Sequence, residues 1–194
     1  MREKIINTSI ALFGAHGFRE TSIEDITKEL GVTKGTFYYY FTNKEDVLMH
    51  IHLRFIEGLL EQQKAILDNQ SKTNQEKLHD NVQMVIRNIR NGVQSAKVFF
   101  REMKHLNEHH TSKVLPKRHE FQRNIQGIIQ RGIDEGEFRR DLRADMLSFA
   151  VLGVANWSYF WFEPDGEVSE DQLTDIYMRM IIEGIQTKGG EIDE

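Results

Sequence analysis

The stretch GVTKGTFYYYFTNKED, residues 31–46, contains five consecutive aromatic residues directly after two glycines and a lysine. A globular core rarely needs such a run. On a helix, with about 100° between neighbours, Phe37, Tyr40 and Phe41 fall on one side with Val32 and can join a small core. The opposite side carries more hydroxyl groups and aromatic area than a core requires. Its residues are Gly35, Thr36, Tyr38 and Tyr39, with Lys34 on the flank.

The first 46 residues predict three short helices and the start of a fourth. Apolar residues at helical spacing mark the first helix, which Gly17 ends, and Gly31 ends the second. Two short helices joined at a glycine, the second of them aromatic, predict a helix-turn-helix whose outward side enters a DNA groove. A plain three-helix core with surface tyrosines remains the alternative. The predicted N-terminal caps are Thr21 (in a capping box with Glu24), Thr33 and Asn43.

The composition predicts an all-α protein. The chain has 194 residues, no cysteine and only two prolines, and no alternating apolar and polar run predicts a strand. The absence of cysteine excludes disulfides and thiolate metal sites. The N-terminus lacks the apolar block of a signal peptide, and the most apolar stretch, residues 146–162, is shorter than a membrane helix. We therefore expect a soluble protein of the cytoplasm without a membrane partner.

The charge is strongly segregated along the chain, although its net value is only −5. Residues 85–133 carry ten Arg or Lys against three Glu, whereas residues 163–194 carry ten acidic residues against two basic ones. Such a distribution matters more for anion binding than the net charge does.

The segment SIALFGAHGFRETSIEDITKELGVTKGTFYYYFTNKEDVL resembles the DNA-binding domain of the TetR family of bacterial transcriptional regulators. The resemblance covers about the first quarter of the chain and implies a regulator, most simply a repressor, that binds double-stranded operator DNA. Many relatives have histidine where this chain has Tyr39. The resemblance implies a recognition region at about 22–41 and these DNA-facing positions: Ser22, Thr33, Lys34, Gly35, Thr36, Tyr38, Tyr39 and Lys44.

The rest of the chain predicts a helical body for ligand binding and dimerisation. We divide the sequence into a DNA-binding domain, residues 1–46, and this body, residues 47–194. A long helix connects the two, and Asp141 and Ser169 are the predicted caps of the last two helices. The predicted helices span about 44–68, 76–91, 94–106, 115–135, 141–162 and 169–187.

The stretch 146–162 is apolar almost all the way round, so we expect it to be buried on every side. With the final helix it predicts a four-helix bundle between two subunits, as in TetR relatives. The alternative is a core helix of a monomer. The predicted interface residues are Phe149, Gly153, Phe160, Tyr177, Met180 and Ile181.

The C-terminal region from Asp141 to Gly184 resembles a TetR branch that responds to acyl-coenzyme A (acyl-CoA) thioesters. The likeness is carried by Asn156-Trp157, Trp161 and Pro164-Asp165-Gly166. An apolar cavity with a basic mouth, formed by helices between 85 and 133, also suits such an anionic amphipathic effector. Three alternatives stay open: a sensor of cationic drugs, a segment that only preserves the interface, and basic residues that face the acidic C-terminal stretch within a dimer. The predicted ligand-binding residues are Phe99, Phe100, Arg101, Met103, Phe121, Ile125, Asn156, Trp157 and Trp161.

The sequence offers little for catalysis or for a metal. Glu102 and His105 have the carboxylate-to-histidine spacing of di-iron bundles, and His105 and His109 lie four residues apart, but no second copy exists. Nucleophile and phosphate-loop motifs are also missing. We expect neither an enzyme nor a cofactor, and a helical metal-binding protein remains the alternative of another class.

Overall fold

The computed structural model describes residues 1–185, and in this range the chain folds into nine α-helices without a β-strand. The predicted all-α fold is confirmed. Single 3₁₀ turns follow α6 and α8. None of these helices is long and apolar enough to cross a membrane. The helices are α1 (Arg2–His16), α2 (Ile23–Leu30), α3 (Lys34–Tyr40), α4 (Lys44–Asp68), α5 (Asn74–Asn91), α6 (Val93–Arg101), α7 (Glu108–Asp134), α8 (Ala144–Trp157) and α9 (Glu170–Ile185).

The chain forms two compact units that differ from the predicted division after residue 46. Unit 1 comprises Met1–Gly58 and Asn91–Arg118, and unit 2 comprises Leu59–Arg90 and His119–Glu194. Helix α4 continues without a break through residue 46, so the first unit extends well into it. The core of unit 1 combines α1 to α3 with the first half of α4 and with the segment 91–118. Its buried members include Phe13, Ile26, Phe37, Phe41, Leu48, Val98, Leu106 and Val114.

Most predicted N-terminal caps are confirmed, and one is shifted by a single residue. The side chains of Thr33, Asn43 and Ser169 accept bonds from backbone N–H groups three residues later. The capping box of α2, however, joins Ser22 to Asp25 and not Thr21 to Glu24. Thr21 is instead buried, and its hydroxyl donates to the carbonyl of residue 17 at 2.8 Å.

Four helix boundaries in the body were predicted wrongly, among them the end of α8, which lies at Trp157 and not near residue 162. Helix α6 ends at Arg101, earlier than expected, and α7 begins at Glu108 because the side chain of Asn107 caps it. Pro116 therefore lies inside α7. Helix α8 begins after Arg143, since the side chain of Asp141 pairs with Arg139. The predicted end of the last helix near residue 187 lies outside the described residues.

Candidate nucleic-acid interface

The turn between α2 and α3 sets the direction in which α3 presents its side chains. Gly31 ends α2 in the left-handed conformation, with φ 64°, which costs a glycine least. Thr33 then begins α3. Phe37 and Phe41 are fully buried, and Tyr40 packs against the same core, so the predicted inward side of the aromatic run is confirmed.

The outward side of α3 is accessible over most of its length. Tyr39 is 81% exposed and Tyr38 is 55% exposed. Gly35 is also exposed, and a Cβ placed there would meet only the hydroxyl of Thr33, at 3.5 Å. This is an ordinary van der Waals distance, and the backbone of Gly35 is not left-handed. The fold therefore does not require glycine at this position. Close approach of a ligand to the backbone would require it, because a side chain would hold the ligand away.

Lys34 forms an ion pair that the sequence did not suggest. Its ammonium donates to Glu24 at 2.8 Å, and both side chains are largely exposed. The hydrogen bond and the opposite charge lower the pKa of Glu24 and raise the pKa of Lys34. A phosphate that approaches Lys34 must compete with this carboxylate, because DNA carries the same sign of charge as Glu24.

The hydroxyl groups at the N-termini of α2 and α3 have local partners. The Ser22 hydroxyl donates to Asp25 at 2.7 Å, and bonds from Ser22 lower the pKa of that carboxyl. The hydroxyls of Thr33 and Thr36 lie 3.2 Å apart. The oxygens of Ser22 and Thr36 each keep a lone pair for further bonds. Contacts of Ser22, Thr33 and Thr36 with DNA stay predictions, as do those of Gly35, Tyr38 and Tyr39.

Lys44 holds the loop that precedes α2. Its ammonium donates to the backbone carbonyls of Phe18, Arg19 and Thr21, the last at 2.6 Å. It also lies 4.3 Å from the centroid of the Phe18 ring. Burial lowers the pKa of Lys44. An ammonium has three N–H donors, and all three have carbonyl partners here, so Lys44 holds the α1–α2 loop. Its contact with DNA stays a prediction.

The predicted dimer residues occupy an exposed apolar surface of unit 2. On α8, Phe149 is 58% exposed, and on α9, Met180 is 57% exposed. Phe160 is about half exposed, and Gly153 is open to solvent. Tyr177 is only partly exposed, with its hydroxyl 2.9 Å from the Ser158 hydroxyl, and Ile181 is likewise partly exposed. The helix is thus not buried on every side within one chain, and its burial by a second subunit stays a prediction.

The predicted ligand residues fall into both units. In unit 1, the rings of Phe99 and Phe100 lie 5.2 Å apart, Met103 packs on the core, and Arg101 is exposed. In unit 2, Phe121 and Ile125 are buried. Asn156 is partly buried, but Trp157 is 62% exposed and packs on Phe160, and Trp161 is about half exposed. Trp157 therefore adjoins the apolar surface of α8, and all of the predicted ligand contacts, that of Trp157 included, stay predictions.

Several basic residues of segment 85–133 already have acidic partners. Arg87 pairs with Asp171 at 2.9 Å, and Arg90 pairs with Asp165 and Glu170 at 3.0 and 3.1 Å. These pairs lie within one chain. Arg87 and Arg90 therefore face the acidic C-terminal stretch, as one alternative proposed, but they do so without a partner subunit. The predicted basic mouth is smaller than the charge count suggested.

The histidines of segment 102–110 do not form a metal site with their neighbours. His105 pairs with Glu102 at 3.2 Å and stacks on the Phe18 ring, and His109 is exposed. Within residues 1–185, no group of three or more His, Asp or Glu side chains could hold a metal ion.

Comparisons with known proteins agree with this arrangement. Residues 5–51 match the model of the bacterial regulatory proteins of the tetR family, and residues 71–185 match that of the tetracyclin repressor-like C-terminal domain. The HTH-type transcriptional repressor KstR2 of Mycolicibacterium smegmatis is 24% identical over 191 residues, which are 98% of this chain and 93% of the relative.

Two solved structures share the fold. The ketosteroid transcriptional regulator KstR2 of Mycobacterium tuberculosis has a TM-score of 0.86 at 22% identity, over 96% of this chain and 95% of its own. AibR, solved in complex with isovaleryl coenzyme A and operator DNA, has a TM-score of 0.84 at 22% identity. That likeness covers 92% of this chain and 96% of AibR.

Proposed function

Because this chain belongs to the TetR family of bacterial regulatory proteins and is therefore a DNA-binding transcriptional regulator and not an enzyme, we propose that it is a homodimeric repressor that an acyl-CoA releases from a palindromic operator. The observation that carries the DNA-binding part is the outward side of α3. There a backbone position without a side chain, Gly35, lies beside the exposed Tyr38 and Tyr39. This combination suits close approach to the edges of bases and to phosphates.

The exposed apolar surface of α8 and α9 supports the homodimer. Large apolar side chains on it are about half exposed or more, which is unusual for a surface that stays in water. A second copy with the same surface would bury them in a two-fold arrangement. The two α3 helices of the dimer, one from each subunit, would then read half-sites about one DNA turn, ~34 Å, apart. The large exposed members are Met146, Phe149, Trp157, Phe160, Ile176 and Met180.

The effector part of the proposal has two supports. AibR, which shares the fold, was solved with isovaleryl coenzyme A and operator DNA. In addition, exposed basic residues of segment 85–133, such as Lys104 and Lys113, can meet the phosphates of coenzyme A. Release requires that the effector bind the DNA-free conformation better, with a typical coupling of about 1–3 kcal/mol. The proposal needs no metal or cofactor, and it places the protein in the cytoplasm.

The test begins with the operator. The purified protein selects binding fragments from a random pool of duplex DNA, and sequencing should reveal a palindrome with half-sites about one turn apart. Fluorescence anisotropy on that fragment is then titrated with butyryl-, octanoyl- and palmitoyl-CoA, with free coenzyme A and a cationic dye as comparisons. Release by at least one thioester is expected. Release by the cationic dye alone would instead identify a drug sensor.

A further inference from the structure

His52 on α4 is an unexplained polar residue in the interior of unit 1. Its side chain is completely buried, and neither ring nitrogen has a hydrogen-bond partner. Buried polar groups in folded proteins almost always have partners, because an unpaired one loses its bonds to water without replacement. Burial and the positive charge of Arg118 lower the pKa of His52 to about 3. The ring is therefore neutral at physiological pH and offers one donor and one acceptor.

Arg118 on α7 is the second unexplained group in the same place. Burial lowers the pKa of its guanidinium. The group lies 4.3 Å from the centroid of the Phe99 ring, and its one hydrogen bond to the chain is a long one, 3.5 Å, to the carbonyl of Phe99. Among residues 1–185, no carboxylate forms an ion pair with Arg118, whereas Arg87 and Arg90 both have acidic partners. A largely buried guanidinium without an anion is costly.

Aromatic rings connect these two groups. The Phe99 ring lies 5.4 Å from the His52 ring and 4.5 Å from the Phe55 ring. Phe100 continues the cluster at 5.2 Å from Phe99. His52, Phe55, Phe99, Phe100 and Arg118 all belong to unit 1. Apolar rings next to a small number of unpaired polar groups are the usual composition of a site for a small amphipathic molecule.

We infer that His52 and Arg118 form the polar end of the effector site, where they bind a carbonyl or carboxylate oxygen at the head of an apolar chain that lies along Phe55, Phe99 and Phe100. The inference rests on the proposed function for the presence of an effector and adds the residues that recognise it. An oxygen placed between the two side chains would accept from the His52 ring N–H and from the Arg118 guanidinium, which gives each group a partner for one donor. A thioester and a free fatty acid both offer such an oxygen.

The test compares full-length wild-type protein with variants at both positions by isothermal titration calorimetry, with octanoyl-CoA and octanoate as the probes. His52→Leu and Arg118→Met should each weaken binding of the preferred probe at least tenfold. His52→Gln, which keeps a donor and an acceptor, should restore part of the affinity. The matched controls His109→Gln and Arg140→Met change exposed side chains and should bind like the wild type. Preference for octanoyl-CoA or for octanoate identifies the source of the oxygen.

A thermal melt without ligand separates a binding role from a structural one. Because His52→Leu removes two unpaired buried nitrogens, the ligand-free variant should melt about 2–4 °C higher than the wild type. A lower melting temperature together with unchanged probe affinity would show a purely structural histidine and overturn the inference. Failure of the wild type to bind either probe would overturn it as well.

The same titrations distinguish this inference from the proposed function. If octanoyl-CoA releases the operator equally well from wild type and variants, the inference fails and the repressor function stands. If the variants lose the probe but the bound wild type keeps its operator, the site is supported and release by acyl-CoA fails.

Discussion

The substitution Gly35→Ala should change stability and DNA binding in opposite directions. The added methyl would meet only the Thr33 hydroxyl, at an ordinary distance of 3.5 Å, and the backbone there suits any L residue. Alanine reduces the entropy of the unfolded chain at such a position, which stabilises a protein by about 0.4–1 kcal/mol. We therefore expect a melting temperature a few degrees above that of the wild type.

Operator binding should weaken, because the methyl group projects from the exposed side of α3. If the backbone of Gly35 approaches DNA closely, the methyl displaces α3 and costs contacts at each half-site. The loss of one good base contact is worth about 1–3 kcal/mol, roughly five- to 150-fold in Kd. A dimer carries the change twice, so the total loss should exceed tenfold.

The assay combines a thermal melt with fluorescence anisotropy on the selected operator, at one fixed salt concentration. Gly58→Ala on α4 is the matched control, since a Cβ there meets nothing within 4 Å. It should give a similar stabilisation and unchanged operator affinity. A Gly35→Ala protein that is stabilised and still binds the operator like the wild type would refute close approach of α3 to DNA. Clear destabilisation would refute the geometry given for Gly35.

Three further predictions test other parts of the structure. Phe37→Ala should cost about 3–5 kcal/mol of unfolding free energy and abolish operator binding, since the ring is fully buried. Urea denaturation measures the loss, and near-wild-type stability would contradict the prediction. Glu24→Gln should tighten operator binding, because Lys34 becomes available for a phosphate in each subunit. The log–log salt dependence should steepen by about two per dimer, and an unchanged slope would exclude that contact. Met180→Glu should convert the dimer to a helical monomer in sedimentation velocity, and a dimer of wild-type strength would rule out this surface.

Local patterns in the sequence predicted the helix-turn-helix well, because its helices begin and end at residues with strong local preferences. Gly17 and Gly31 have positive φ, and Thr33 and Asn43 cap the following helices, as expected. Local preferences could not decide whether Thr21 or Ser22 caps the N-terminus of α2. Both precede an acidic residue at the right spacing, and the choice depends on the burial of Thr21 against the preceding turn.

The features that the sequence could not predict depend on distant residues. Glu24 and Lys34 lie ten positions apart, and no local pattern joins them. The partners of Arg87 and Arg90 are more than 70 positions away. A count of charges along the chain treats all of these side chains as accessible to a ligand, whereas the structure pairs them with one another. The unpartnered His52 likewise has no signature in the sequence, since its state depends on what surrounds it in the fold.

The bonds of Lys44 have a consequence for the order in which the chain matures during synthesis. The carbonyls that its ammonium holds belong to the loop between α1 and α2, 23 to 26 positions earlier in the chain. The ribosome makes that loop first, so the α1–α2 corner lacks the hydrogen bonds from Lys44 until this residue has left the exit tunnel. A nascent chain halted while Lys44 is inside the tunnel should leave the α1–α2 corner open to proteases, and a chain long enough to bring Lys44 out of the tunnel should be protected there. The helix-turn-helix thus depends on a residue that follows its last aromatic ring.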